Sequence, residues 1–242
     1  MPKPFTPFDD DNQTLAIRVQ DRIREAILTH ALEPGARIDQ NQVAEALKVS
    51  LAPVREAMKG LEAEGLVTIL PRRGAFVAEI SVTDMDELYA ARALIEGETI
   101  FRAVPELSER DLANLQHIID RMKQATDNND VGTYIALNRD FHLGIYHALN
   151  NAYLLQVIHN LWKRSEMYRY RYMYSGHDHE RVHQEHQAIL DACRKRAPLL
   201  AREAATMHIL GTQQELHDQL LQMEIAPSDG AALTDLSLPR KG

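Results

Sequence analysis

The feature that most constrains this chain is a change of hydrophobic period near residue 65. Before it, Leu15, Val19, Ile23 and Ile27 recur at helical spacing, Leu32 follows, and Pro34 with Gly35 stops the segment. Val43, Ala44 and Leu47 mark a short second helix. A third runs from about Leu51 to Glu64 and ends at Gly65, with Ser50 placed to cap it and Pro53 in a first turn that has no helical N–H bond to lose. After Gly65 the pattern becomes Leu66-Val67-Thr68-Ile69-Leu70, then Pro71-Arg72-Arg73-Gly74, then Ala75-Phe76-Val77-Ala78. Two β-prone runs around a Pro/Gly turn predict a hairpin. Three short helices followed by a hairpin is the order of a winged helix-turn-helix.

From Val82 onward only helical patterns occur, over 82–103, 108–128, 130–149, 151–174, 177–196 and 198–223, with breaks at Pro105, Asn150-Asn151, Gly176 and Pro198. The fold class expected is mainly α, with an N-terminal winged helix-turn-helix over 12–80 and an all-α six-helix bundle over 81–225. Residues 1–11 and 226–242, rich in Pro, Asp, Ser and Gly, are expected to be flexible tails. A length of 242 residues accommodates two such cores.

No apolar run approaches the roughly 18 residues that cross a bilayer. The N-terminus lacks a secretory signal, and the lone Cys193 forbids an intrachain disulfide. A reducing cytoplasm and no membrane partner are the expectation. The net charge of -8 means that any nucleic-acid surface must be a local patch. Residues up to Ile80 hold 10 Lys+Arg against 12 Asp+Glu, and the remainder 17 against 23, so the first part is nearer neutral. Of the 11 histidines only His30 precedes residue 81, which assigns the two parts different chemistry.

In a helix-turn-helix the second helix presents its N-terminal residues to base edges in the major groove. Here Val54, Ala57, Met58 and Leu61 form the buried stripe of that helix. Arg55 and Lys59 lie one turn apart on another face, free to meet DNA. Arg72 and Arg73 at the wing tip can meet phosphates. A surface-charged helical hairpin with a solvated basic turn would show the same pattern. The run PGARIDQNQVAEALKVSLAPVREAMKGLEAEGLVTILPRRGAFV, however, closely resembles the winged helix of the GntR repressor family, with its P-G, V-S-x-x-P-V-R-E-A and E-G-L-V landmarks in register. The resemblance implies a homodimer on a double-stranded DNA operator, with Arg55 and Gly74 at positions that touch DNA. Leu51 and Asn41 depart from it, because the family usually carries basic contact residues there.

In the second part, Asn138 and His142 stand four apart on one helix face, and His186 and His208 belong to later helices. Bundle metal sites are assembled from inward-facing ligands on separate helices in this way. The local run His179, His183, His186 at i, i+4, i+7 is a rival cluster, although three histidines on one helix usually form a polar stripe. The segments ARALIEGETIFRA, LNRDFHLGIYHALNN, EHQAIL and MHIL resemble the FCD ligand-binding domain of the FadR subfamily, in a shorter VanR-like form. That resemblance implies a divalent metal held by Asn138, His142, His186 and His208, and leaves His177, His179 and His183 at the surface or behind the ligands. The imidazole-rich set suits zinc or nickel.

Arg92, in R-A-L-I-E, occupies a position where a family arginine often faces the effector cavity. A carboxylate would pair with it bidentately, and a salt bridge to Glu96 is the competing reading. Tyr168, Tyr170, Tyr172 and Tyr174 alternate as a strand would, but their i, i+4 pairs and helical surroundings favour a helix. The chain is thus expected to be a DNA-binding regulator, a repressor controlled by a small organic-acid effector beside the metal. A metal-dependent enzyme or a pure metal sensor are the alternatives; no positioned general base is visible for the former.

Overall fold

The computed structural model describes residues 14–29, 31–174 and 179–225. The two expected tails, His30, the break at Gly176 and His177 lie outside the described residues. Helix α1 (Leu15–Leu28) is capped by Thr14 and buries Val19, Ile23 and Ile27. Helices α2 (Gln40–Ala46) and α3 (Leu51–Ala63) follow, and α3 turns Val54, Ala57, Met58 and Leu61 inward. Ser50 stands at the N-cap of α3 in an extended conformation, yet its side chain makes no cap bond, contrary to the expectation from sequence. The wing is β2 (Val67–Leu70) paired antiparallel with β3 (Gly74–Val77). A third strand, β1 (Arg37–Ile38), pairs with β3 to give the order β1-β3-β2. Two residues carry no period, so β1 is invisible in sequence.

Among the described residues seven helices form the second part: α4 (Val82–Ala103), α5 (Glu109–Asp127), α6 (Val131–His147), α7 (Ala152–Arg164), α8 (Glu166–Tyr174), α9 (His179–Arg194) and α10 (Pro198–Ile225), with a 3-10 turn at Val104–Glu106. The expected count of six is corrected because the single helix expected over 151–174 breaks at Ser165. Ser165 closes α7 with its backbone N–H on Leu161, and its hydroxyl donates to the Trp162 carbonyl at 3.1 Å. Arg169 donates to the same carbonyl at 2.9 Å, so the end of α7 is satisfied by side chains rather than by a continued helix. The tyrosines fall in the short helix α8, as expected.

Helix α4 packs along α10. Gly97 permits the close approach, since a Cβ there would come within 2.8 Å of Thr206 Oγ1. Two hydrophobic cores result, one under the winged helix and one inside the bundle. Helix α8 crosses between them: Met167 is buried in the winged-helix core, and the Tyr168 hydroxyl donates to Asp84 at 3.1 Å with the Ser81 carbonyl 3.3 Å away. At the same seam Glu64, at the end of α3, binds Arg24 at 2.8 Å and faces Lys163 of α7 at 3.8 Å.

Candidate functional site

Three histidines converge inside the bundle, each carried by the apolar stripe of its helix. His142 lies between Phe141 and Tyr146 on α6, His186 between Val182 and Ile189 on α9, and His208 between Ala205 and Ile209 on α10, all buried. One ring nitrogen from each lies within 4.8 Å of the others. The His142 ring stacks on His208 with centroids 5.2 Å apart, and the His186 ring sits 4.5 Å from His208. Asn138, one turn before His142, brings Oδ1 to 2.8 Å from His186 Nε2.

The Nδ1 atoms face partners. His186 Nδ1 lies 2.9 Å from the Val182 carbonyl, His208 Nδ1 2.8 Å from Glu185, and His142 Nδ1 3.4 Å from the Tyr146 hydroxyl. That hydroxyl in turn donates to Glu96 at 2.9 Å. Such outer bonds fix imidazole tautomers and leave Nε2 lone pairs toward a common centre, the arrangement that ligating histidines adopt. Burial, followed by the neighbouring histidines, holds His142 well below its ordinary pKa; burial and His208 do the same for His186. His142 and His186 are therefore neutral and fit to ligate.

His186 supplies the test of fit for a cation. Its two nitrogens face two oxygens, the Val182 carbonyl and Asn138 Oδ1, while a neutral imidazole has only one proton to donate. A second proton would charge a fully buried ring. Turning the Asn138 amide end for end would satisfy the geometry without an ion; a cation between Nε2 and Oδ1 satisfies it with Asn138 as an oxygen ligand.

Asn138, His142 and His208 line a cavity of about 40 Å³ together with Arg92, Arg169 and Tyr89. One water needs roughly 10–15 Å³ on this measure, so the space admits a few waters or a small carboxylate group. Arg92 makes the salt bridge that was the competing reading, its Nε donating to Glu96 at 2.8 Å, and its side chain also lines the cavity. Burial opposes its charge, but Glu96 together with Tyr89 and Tyr146 more than offsets burial and the guanidinium stays ionised. Sequence reasoning missed Arg169. It lies over the Trp162 ring at 4.4 Å, as Arg92 does at 4.9 Å, and burial followed by Arg92 pushes its pKa down to about 10. An arginine inside the run of alternating tyrosines was the available signal. Tyr89 and Trp162 were missed as well, because ordinary core aromatics look the same in sequence.

The other histidines of α9 stay outside the cluster. His179 and His183 line a depression with Met122 and Asp127 that reaches His186 but neither His142 nor His208. Among the described residues, the only group of histidine, cysteine or acidic side chains close enough to hold a metal together is His142, His186 and His208.

On the winged helix, Arg55 and Lys59 are exposed on α3, and Arg72 and Arg73 are exposed at the wing tip. Arg72 takes a left-handed φ of 64°, and Arg73 leans over Phe76 at 5.9 Å. Gly74 has φ 109°, a conformation that side chains strain to adopt, and Arg37 Nε would lie 3.5 Å from a Cβ placed there. Arg37 thus joins the wing through β1, and the sequence reading did not include it. Leu51 packs against the winged-helix core, whereas Asn41 is exposed.

A small winged helix joined to a helical bundle defines a class, the regulator that carries a DNA-binding part and a separate helical domain in one chain. Residues 15–77 match the family described as "Bacterial regulatory proteins, gntR family", and residues 87–211 match the FCD domain. The chain belongs to this family and is a transcriptional regulator. It is 33% identical over 151 residues to the HTH-type transcriptional regulator McbR of Escherichia coli K12, covering 62% of this chain and 68% of that protein. It is 25% identical over 214 residues to the gluconate operon transcriptional repressor of Bacillus subtilis 168, covering 86% and 88%. The solved structure of E. coli McbR/YncC superposes with a TM-score of 0.73 at 26% identity, covering 86% of this chain and all 100% of that one. These families and relatives are regulators, not enzymes. Among the described residues no helix is long and apolar enough to cross a membrane.

Proposed function

We propose that the chain is a dimeric repressor whose affinity for an operator falls when a small organic acid binds beside a divalent metal. The observation that carries this reading is the cluster of three buried imidazoles opening on a small cavity with two guanidiniums in its wall. Asn138, His142, His186 and His208 hold the ion, zinc or nickel by donor type. Four neutral ligands leave its charge uncompensated, so a carboxylate that fills an open metal position and pairs with Arg92 is the favoured occupant.

DNA is read by Arg55 and Lys59 on α3, with Arg72, Arg73 and Gly74 at the wing against the backbone. Dimerisation doubles the contact and is supported by an unpartnered apolar face. Leu200, Met207 and Leu221 recur at multiples of seven on α10 and are exposed, as is Leu94 on α4. Binding can alter DNA affinity only by preferring one arrangement of the dimer, and a coupling of about 1–3 kcal/mol gives a 5- to 150-fold change. The segment 79–83, which leads from the wing into α4, is the element that moves. The test is operator affinity titrated with candidate small acids in wild type, Arg92→Ala and His186→Ala. Loss of response in both variants, with acid-free DNA binding kept, is expected. Equal responses in all three remove both residues from the mechanism, and release of DNA on chelation alone identifies a metal sensor.

A further inference from the structure

A second cavity, of about 460 Å³, lies at the seam between the winged helix and the bundle. It falls within the roughly 300–1,000 Å³ of small-molecule sites, unlike the metal cavity. Arg24 and Glu64 contribute from the DNA-binding side, and Arg139, Lys163 and Arg169 from the bundle. Arg24 is consumed by Glu64 and Asp21. Among the described residues Arg139 and Arg169 enter no salt bridge, and Lys163 reaches Glu64 only at 3.8 Å. Three cations thus face one further carboxylate, Glu166.

Two further donors on residues of this wall, Trp162 Nε1, on a side chain 3% exposed, and Arg169 Nε, have no acceptor, but both atoms are shut off from solvent and do not open on the cavity. Ile135, Leu143 and Tyr170 supply an apolar stretch of the same wall.

We propose that this seam is a second ligand site, which takes an organic oxyanion with an apolar body, its anionic group on Arg139, Lys163 and Arg169. The site is separate from the metal cavity and shares with it only Ile135 and Arg169. Its occupant touches both domains, because Glu64 ends α3 while Arg139 lies on α6.

Trp162 is the only tryptophan of the chain; its emission reports on this cavity and also on the metal cavity, whose Arg92 and His142 adjoin the ring, so the variants below separate the two. Full-length, metal-loaded protein is titrated with phenyl phosphate and, separately, with benzoate; the two arms distinguish a phosphate from a carboxylate. A saturable change with at least one probe is expected, weakened about tenfold or more in the Arg139→Gln/Lys163→Gln double variant, as for lost charged hydrogen bonds. Metal content of that variant stays at the wild-type level; should it misfold, Lys163→Gln alone, at an exposed position, carries the comparison. No saturable change with either probe overturns the proposal. So does a change that the Gln variants keep, and one that they keep but Arg92→Ala loses places the probe in the metal cavity instead.

Discussion

Glu185→Ala tests whether the metal site depends on more than its ligands. Glu185 accepts from His208 Nδ1 at 2.8 Å and also pairs with Arg181. Burial works against its charge, yet the His208 hydrogen bond and Arg181 hold its carboxyl below the usual range. The carboxylate therefore orients the ring with Nε2 inward. Removing it frees the ring to rotate and lets the wrong tautomer compete. Losing such an outer partner typically weakens metal binding 10- to 100-fold, about 1.4–2.7 kcal/mol. Arg181 keeps its pairing with Glu215, so the helix packing has a remaining anchor. The assay is competition for zinc against a chromophoric chelator in wild type, Glu185→Ala, Glu185→Gln and His208→Ala. Glu185→Gln should recover part of the affinity, since an amide oxygen still accepts from Nδ1. Unchanged zinc affinity in Glu185→Ala, beside loss of metal in His208→Ala, would refute the orienting role; unchanged affinity in both would remove α10 from the site.

His186→Ala should empty the site while His183→Ala retains it, as read by elemental analysis of protein purified without chelator or nickel resin; the reverse pattern would show that the wrong histidines were chosen. Arg55→Ala should cost about 1–3 kcal/mol of operator binding if its contact is bidentate to a base. Arg72→Ala should weaken all DNA alike and lower the salt slope by about one ion. Footprinting on the source genome that finds no protected inverted repeat would end the DNA-reading assignment for both. Met207→Glu should yield monomers in sedimentation, by placing a charge on the apolar face of α10, and a persistent dimer would locate the interface elsewhere.

Sequence by itself determined the elements whose pattern is long enough to be periodic. The stripes of α1 and α3, the hairpin about Arg72-Arg73, and the helices from Val82 onward follow from the spacing of apolar residues, because one buried face is the condition for an element to dock. The ligand candidates were legible through resemblance rather than geometry, since His142, His186 and His208 are separated by dozens of residues and no local spacing ties them together. Tertiary structure alone decided what those residues meet. It brought three rings into contact, left His179 and His183 outside that cluster although they share α9 with His186, and set Glu185 behind His208. It broke α7 from α8 at Ser165, where side-chain bonds to the Trp162 carbonyl outweighed helical continuity, and so carried Arg169 into the cavity wall and Met167 into the other domain's core. Periodicity reports which face of a helix is buried but not against what, and charge pairing, orphaned donors and cavities belong to that second question.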